Sequence, residues 1–201
     1  MKSTNGGIDS DVLNRLVEIL DNHYKHAQIC IRDLESKSNS YILSQMIQLK
    51  EAFDHIADAL TVPRDKETQL KTLDLAEDCL KRASIESIKD LADEIHNSIL
   101  EILKKPRIYY RLTFFSLPDK SNIEIRLKRI EYHLQRGCQL KDKGDDWKSC
   151  LVEFEKAYDE AVTLKNLLPD KDEARYRFFV MLISIIAVVV SVTMTFIFHF
   201  M

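Results

Sequence analysis

Arg126 and His133 are the two side chains in this sequence best placed for joint acid–base chemistry. They are seven residues apart, which puts them on one face of a helix at 3.6 residues per turn. Other histidines, such as His23 and His26, also stand near carboxylates, but di-iron bundles require repeated Glu-x-x-His pairs and the sequence has none. The glycine motifs of nucleotide-binding proteins and the H-E-x-x-H zinc motif are missing too. We therefore predict no metal, no cofactor and no enzyme of a recognised class.

An Arg followed a few residues later by a His resembles the active motif of the HEPN ribonucleases, which are small all-α bundles. The resemblance covers Arg126 and His133. It implies that these side chains position and protonate groups around an RNA phosphate. The family usually has a polar residue directly after the Arg, where this sequence has Leu127. The alternative is structural, with Arg126 solvated and His133 at the border of the core.

A basic segment follows an acidic N-terminal half. Residues 1–103 carry 12 Lys or Arg against 19 Asp or Glu, a net charge of -7, whereas residues 104–143 carry 11 against 4, a net charge of +7. Basic and aromatic side chains alternate at its start: Lys104, Lys105, Arg107, Tyr109, Tyr110, Arg111, Phe114 and Phe115. This pattern fits contact with an anionic membrane or a partner, nucleic-acid binding, or neutralisation of the acidic bundle with the rings in the core. Of these, we expect nucleic acid least.

The C-terminal segment over residues 178–201 contains no Asp, Glu, Lys or Arg. As a helix it is about 36 Å long at about 1.5 Å per residue, enough to cross a bilayer core of about 30 Å. Backbone groups in lipid must be satisfied within the segment. We therefore predict a transmembrane anchor over residues 175–201. The alternative is a buried helix of a soluble protein.

The flanks of this segment predict its orientation. A basic and aromatic anchor precedes it, formed by Arg175, Tyr176, Arg177, Phe178 and Phe179. Because positive charge stays on the cytoplasmic side, we expect the N-terminal domain in the cytosol. Small residues recur four apart at Ala187, Ser191 and Thr195, a stripe that favours close approach of tail helices and a homo-oligomer.

Composition predicts the fold class of the rest. The chain has four Gly and four Pro, and 30% of its residues are charged. With so few turn formers and little alternation, we predict an all-α protein: a cytosolic bundle of about five helices over residues 1–174, then one C-terminal transmembrane helix. Residues 1–7 are expected to fray, 107–120 to form an irregular connector, and 121–168 a helical hairpin. The four cysteines form no C-x-x-C pair, which indicates reduced thiols.

Apolar stripes define the predicted helices. The second stripe places Phe53 in the core, together with Ile42, Met46, Leu49, Ile56 and Leu60. The third helix, over residues 66–104, changes its stripe across residues 84–87, which predicts a kink or two helices in line.

The hairpin resembles one tetratricopeptide repeat, a unit of two packed helices. The matching positions are Gly137, Gly144, Asp145, Cys150, Phe154 and Ala157. The resemblance implies close packing of the two helices at Gly137. A single repeat cannot bury its own face and no second copy is present, so an ordinary hairpin packed on the bundle is the alternative.

Together these features predict a tail-anchored protein whose bundle serves as an adaptor or sensor. We expect the bilayer and another protein as its partners. One alternative is a membrane-perturbing effector with an oligomerising tail. A second is a membrane-tethered ribonuclease that uses Arg126 and His133.

Overall fold

The structure, a computed structural model, describes residues 8–37, 42–61, 65–104, 120–143, 146–168 and 171–200. All of these segments are helical and none forms a strand, which confirms the predicted all-α class. The helices are α1 (Ser10–Glu18), α2 (Lys25–Lys37), α3 (Leu43–Thr61), α4 (Lys66–Lys104), α5 (Lys120–Lys143), α6 (Trp147–Leu167) and α7 (Lys171–Phe200), with a π-helical segment (Ile19–Tyr24) between α1 and α2. The expected fraying of residues 1–7 lies outside the described residues. So does the expected connector over 107–120, except that Lys120 begins α5.

The π-helical segment keeps the apolar faces of α1 and α2 on the same side, toward the bundle. Val12 and Ile19 are buried and seven residues apart, whereas Ala27 follows only after eight residues and Leu34 after seven more. In a continuous α-helix, the one extra residue between Ile19 and Ala27 would rotate the apolar face of α2 by about 100° relative to that of α1. A π-turn absorbs one additional residue within a helix, so both halves bury the same face.

Helix α4 is the central element and runs as one α-helix through residues 84–87, where we predicted a kink or two helices in line. Its first half packs with α1, α2 and α3 through Leu73, Ala76 and Leu80. Its second half packs with α5 and α6 through Ile95 and Ile99. The stripe changes because the neighbours of α4 change along its length. The hydroxyls of Ser84 and Ser87 donate to carbonyl oxygens one turn earlier and are satisfied inside α4.

The prediction that Phe53 is a core residue is wrong, because its exposed fraction is 46%. Helix α3 instead buries Gln45, Ala52 and Ala59. Small residues on both helices, including Ala76 of α4, let α3 and α4 approach closely. The larger side chains of α3 then lie at the edge of this contact. There the Phe53 ring meets the Tyr24 ring edge to face, with centroids 5.4 Å apart.

Gly137 brings the two helices of the predicted hairpin together. A Cβ atom added at Gly137 would lie 2.7 Å from the ring of Phe154, which is itself 0% exposed. The Cys150 thiol donates to the Gly137 carbonyl oxygen at 3.4 Å. Helix α5 therefore packs its backbone directly against the Phe154 ring, as the tetratricopeptide resemblance implies for this position.

Gly137→Ala should lower the free energy of unfolding. Overpacking of a filled core costs about 1–3 kcal/mol, which exceeds the gain of about 1 kcal/mol that Ala brings to a helix interior. Chemical denaturation of the full chain in detergent micelles, followed by circular dichroism, would measure the change. Phe154→Leu in the Gly137→Ala background should recover part of the loss. The exposed neighbour Gln135 is the control, since Gln135→Ala should change stability by less than about 0.5 kcal/mol. A stabilising Gly137→Ala would contradict this packing.

Candidate functional site

Arg126 and His133 both face α6, where each meets a glutamate. Arg126 Nη1 lies 2.8 Å from Glu160 Oε2, and His133 Nδ1 lies 2.7 Å from Glu153 Oε2. The two glutamates are also seven residues apart, about two helical turns. The two pairs therefore form at the same spacing along the antiparallel helices α5 and α6. Each pair keeps only 16–25% of its side chains exposed.

Arg126 and His133, the two candidate ribonuclease residues, both bind glutamates of α6 and so hold α5 and α6 together. Burial would raise the pKa of Glu153, but hydrogen bonds from Lys156 and His133 lower that pKa below its ordinary value. Glu153 is therefore an ionised acceptor beside the imidazole. The structure places Arg126 and His133 on one face, as the spacing predicted, and uses both in the hairpin interface. The sequence signal that we missed is the equal spacing of Glu153 and Glu160.

The other histidine clusters form no metal site among the described residues, where no three His, Cys, Asp or Glu side chains are placed to hold one ion. His26 Nδ1 lies 3.3 Å from the Ser84 hydroxyl. His96 Nε2 lies 3.8 Å from Glu131. Both histidines thus make contacts between neighbouring helices of the bundle.

Sequence reasoning also missed a cluster of basic side chains around Glu77 of α4. Arg15 of α1 is ion-paired with Glu77 and, at 2.8 Å, with Asp74. His23 of the π-helical segment lies 3.0 Å from Glu77, and Lys81 lies 2.8 Å from it. Burial would raise the pKa of Glu77, but the hydrogen bond from Lys81 and the surrounding cations lower it below the ordinary value. This cluster fastens the first helix to α4.

His23 should make the bundle less stable as the pH falls below about 6.5, its ordinary pKa. Burial lowers the pKa of His23, although the Glu77 charge acts in the opposite direction. As the pH falls through about 6.5, His23 is protonated in the unfolded chain but still neutral in the folded chain. Protonation therefore favours the unfolded state, and the free energy of unfolding decreases below this pH. Denaturation of the full chain at pH 7.5 and pH 5.5 measures the effect. The His23→Gln variant should show a smaller difference in the free energy of unfolding between pH 7.5 and pH 5.5. An unchanged difference would mean that groups other than His23 cause the pH dependence.

The predicted membrane segment forms one long helix. Within α7, residues Tyr176–Thr195 form a candidate span of 20 residues with a mean hydropathy of 2.6, and none of its most apolar window is buried. Tyr176 is 70% exposed and Phe179 is 58% exposed. Arg175, Arg177 and Phe178 lie in the same helix. The structure thus shows a helix long and apolar enough to cross a bilayer.

The small-residue stripe of the tail also lies on α7. Ala187, Ser191 and Thr195 are exposed at steps of four residues. The Thr195 hydroxyl donates to the Ser191 carbonyl oxygen at 2.8 Å, and Ser184 and Thr193 make the equivalent bond one turn back. These hydroxyls are therefore satisfied within the helix, which suits an apolar medium. Self-association through this stripe stays a prediction.

The basic and aromatic segment is not among the described residues, apart from Lys104 at the end of α4. Its predicted contact residues from Lys105 to Phe115 lie outside them. The described ends on either side of this segment do meet in one cluster. Ile102 near the end of α4, Ile123 near the start of α5 and Leu168 after α6 pack together. The chain thus leaves α4, enters α5 and leaves α6 at the same end of the bundle.

No known protein family matches this chain, and no curated protein or solved structure shows significant similarity to it. The resemblances to HEPN ribonucleases and to tetratricopeptide repeats therefore rest on the residues named above.

Proposed function

We propose that this chain is a single-pass, tail-anchored membrane protein whose helical bundle lies in the cytosol and acts as an adaptor or sensor. The observation that carries the proposal is the exposed apolar helix Tyr176–Thr195, which follows a bundle with buried cores of its own. A helix with this hydropathy is unfavourable in water unless it is covered, and lipid is the medium that matches it on all sides.

The flanking charges support the proposed orientation. Arg175 and Arg177 directly precede the apolar stretch, and residues 178–201 contain no Lys or Arg. Positive charge is retained on the cytoplasmic side during insertion. The bundle therefore stays in the cytosol in this proposal.

The basic segment supports a position of the bundle beside the membrane. Helix α4 ends, and helix α5 begins, at the end of the bundle where Ile102, Ile123 and Leu168 pack in one cluster. Leu168 is only three residues before Lys171, where α7 begins. An anionic leaflet attracts Arg107 and Arg111 and repels the acidic N-terminal half. The bundle would then present α1, α2 and α3 to the cytosol.

An interaction role is favoured over catalysis because the candidate catalytic side chains already hold helices together. Arg126 and His133 bind Glu160 and Glu153 across the hairpin. Their substitution should then reduce stability rather than remove an activity.

Protease protection in sealed membranes tests the proposed topology. An epitope tag placed before Met1 should be digested, and a tag placed after Met201 should be protected until detergent is added. The opposite pattern, or digestion of both tags without detergent, would overturn the proposal.

Expression in growing cells separates the adaptor from its two alternatives. An effector should arrest growth only with its own tail, and a tail of leucines should abolish the arrest. A ribonuclease should lose its toxicity on His133→Ala with the tail intact. An adaptor should tolerate replacement of the tail by another span, because only its place at the membrane matters.

A further inference from the structure

A cavity of about 360 Å³ opens between the middle of α4 and the ends of α5 and α6 that meet at their turn. Ligand sites in proteins usually occupy about 300–1,000 Å³, so this volume suits a small molecule. Its lining includes no residue of α7 and none of the four residues in the Arg126–Glu160 and His133–Glu153 pairs. Its walls divide into an apolar floor and a charged rim.

The floor consists of Ile85, Leu140, Trp147 and Cys150. Ile85 is 6% exposed and Cys150 is 1% exposed, so the floor belongs to the core. Burial raises the pKa of the Cys150 thiol to about 11, which keeps it uncharged. The indole of Trp147 adds a flat aromatic wall that suits a planar ring.

Three cations stand at the rim: Lys81, Arg82 and Lys141. Lys81 binds Glu77 and lies 5.5 Å from the Trp147 ring centre, and Lys141 is paired with Glu86. The Arg82 guanidinium instead contacts the Asp78 carbonyl oxygen at 3.3 Å and the Cys79 sulfur at 3.5 Å. Across the described part of the chain, no carboxylate pairs with Arg82. Its charge is therefore available to a ligand.

The two carboxylates of the rim contact groups other than the Arg82 side chain. Asp146 is the N-cap of α6 and accepts hydrogen bonds from the backbone N–H and the hydroxyl of Ser149. Asp78 lies 3.7 Å from Lys81, which it shares with Glu77. Among the described residues, Arg82 is thus the one cation of the rim without a carboxylate partner.

We propose that this cavity binds a small organic anion, whose aromatic ring rests on Trp147, Ile85 and Leu140 and whose carboxylate or phosphate pairs with Arg82. The size agrees, since a cavity of about 150 Å³ already holds benzene, and the remaining space accommodates the anionic group and water. Arginine binds such groups through two N–H donors at once, which gives the pairing its direction. The ring supplies apolar burial, and the charge selects anions over neutral compounds.

Trp147 is the only tryptophan in the sequence and lines this cavity, so its fluorescence should respond to a ligand bound there. The pH is kept constant, because the His23 ring also contacts the indole at 5.4 Å between ring centres. The full chain in detergent micelles is titrated with benzoate and with phenyl phosphate, and with benzamide as an uncharged match to benzoate. At least one anion should give a saturable change in fluorescence, with an affinity at least tenfold above that of benzamide. No saturable change with either anion, or equal binding of benzamide, would overturn the proposal.

Substitutions at the rim then test the named contacts. Arg82→Gln should weaken anion binding about tenfold, as expected for loss of one charge-assisted hydrogen bond, and leave benzamide binding unchanged. Lys141→Gln provides a comparison at the same rim, and it should weaken anion binding less than Arg82→Gln because Lys141 is already paired with Glu86. Arg129→Gln is the matched control, since Arg129 lies on α5 beside Glu160 and away from the cavity, and binding should be unchanged. Equal loss in the control, or full anion binding by the Arg82→Gln variant, would exclude the assignment to Arg82.

Discussion

Phe154→Ala should lower the free energy of unfolding by about 3–5 kcal/mol, the range for removal of a fully buried aromatic side chain. Phe154 is 0% exposed and packs with Ile85, Cys150 and Leu151. It also covers the Gly137 backbone, so its loss leaves a cavity where α5, α6 and α4 meet. Denaturation of the full chain in micelles, followed by circular dichroism, measures the change.

Phe53→Ala is the matched control, because it removes the same side chain from a half-exposed position. The main contact that Phe53→Ala removes is the one with the Tyr24 ring, and such an aromatic pair contributes about 0.5–1.5 kcal/mol. We expect a loss of about 1 kcal/mol, much smaller than at Phe154. Equal losses at the two positions would mean that the burial assigned to α3 or to α6 is wrong.

Two charges placed in the middle of α7 should release the protein from the membrane. Each arginine at the centre of a span costs about 2.5–3.5 kcal/mol of insertion free energy. Ile186 and Val189 lie in the candidate span and are 54% and 57% exposed. The double variant Ile186→Arg with Val189→Arg should move from the membrane pellet to the supernatant after alkaline carbonate extraction, while the unmodified chain stays in the pellet.

Conservative changes at the same two positions provide the control for the tail. Ile186→Leu with Val189→Leu preserves hydropathy and should remain in the pellet. Membrane retention of the double arginine variant would show that something other than insertion of α7 holds the protein. Release of the leucine variant would show that shape, rather than hydropathy, governs retention.

Much of the fold was predictable because helical periodicity is local. The stripe of α4 around Leu73 and Leu80, and its second stripe around Ile95 and Ile99, both proved to be buried. The break between them was visible in the sequence, but its cause was a change of neighbours along one unbroken helix. A local pattern shows that a face changes and does not show which helix covers it.

The candidate sites were less predictable because they depend on contacts between distant residues. The spacing of Arg126 and His133 put them on one face, yet their partners, Glu160 and Glu153, follow only from the register of α5 against α6. Likewise, Arg82, Lys141 and Trp147 belong to three helices, and their common cavity has no signature in the sequence.

The all-α class and the apolar tail could be predicted from the residues alone, since both follow from residue types over short windows: scarce turn formers and an uncharged stretch over residues 178–201. The packing of the helices was needed to show that Ala52, rather than Phe53, lies against α4, and that a π-turn corrects the register before Ala27. Both outcomes depend on how closely two helices approach, and that distance is set by the side chains of both partners together.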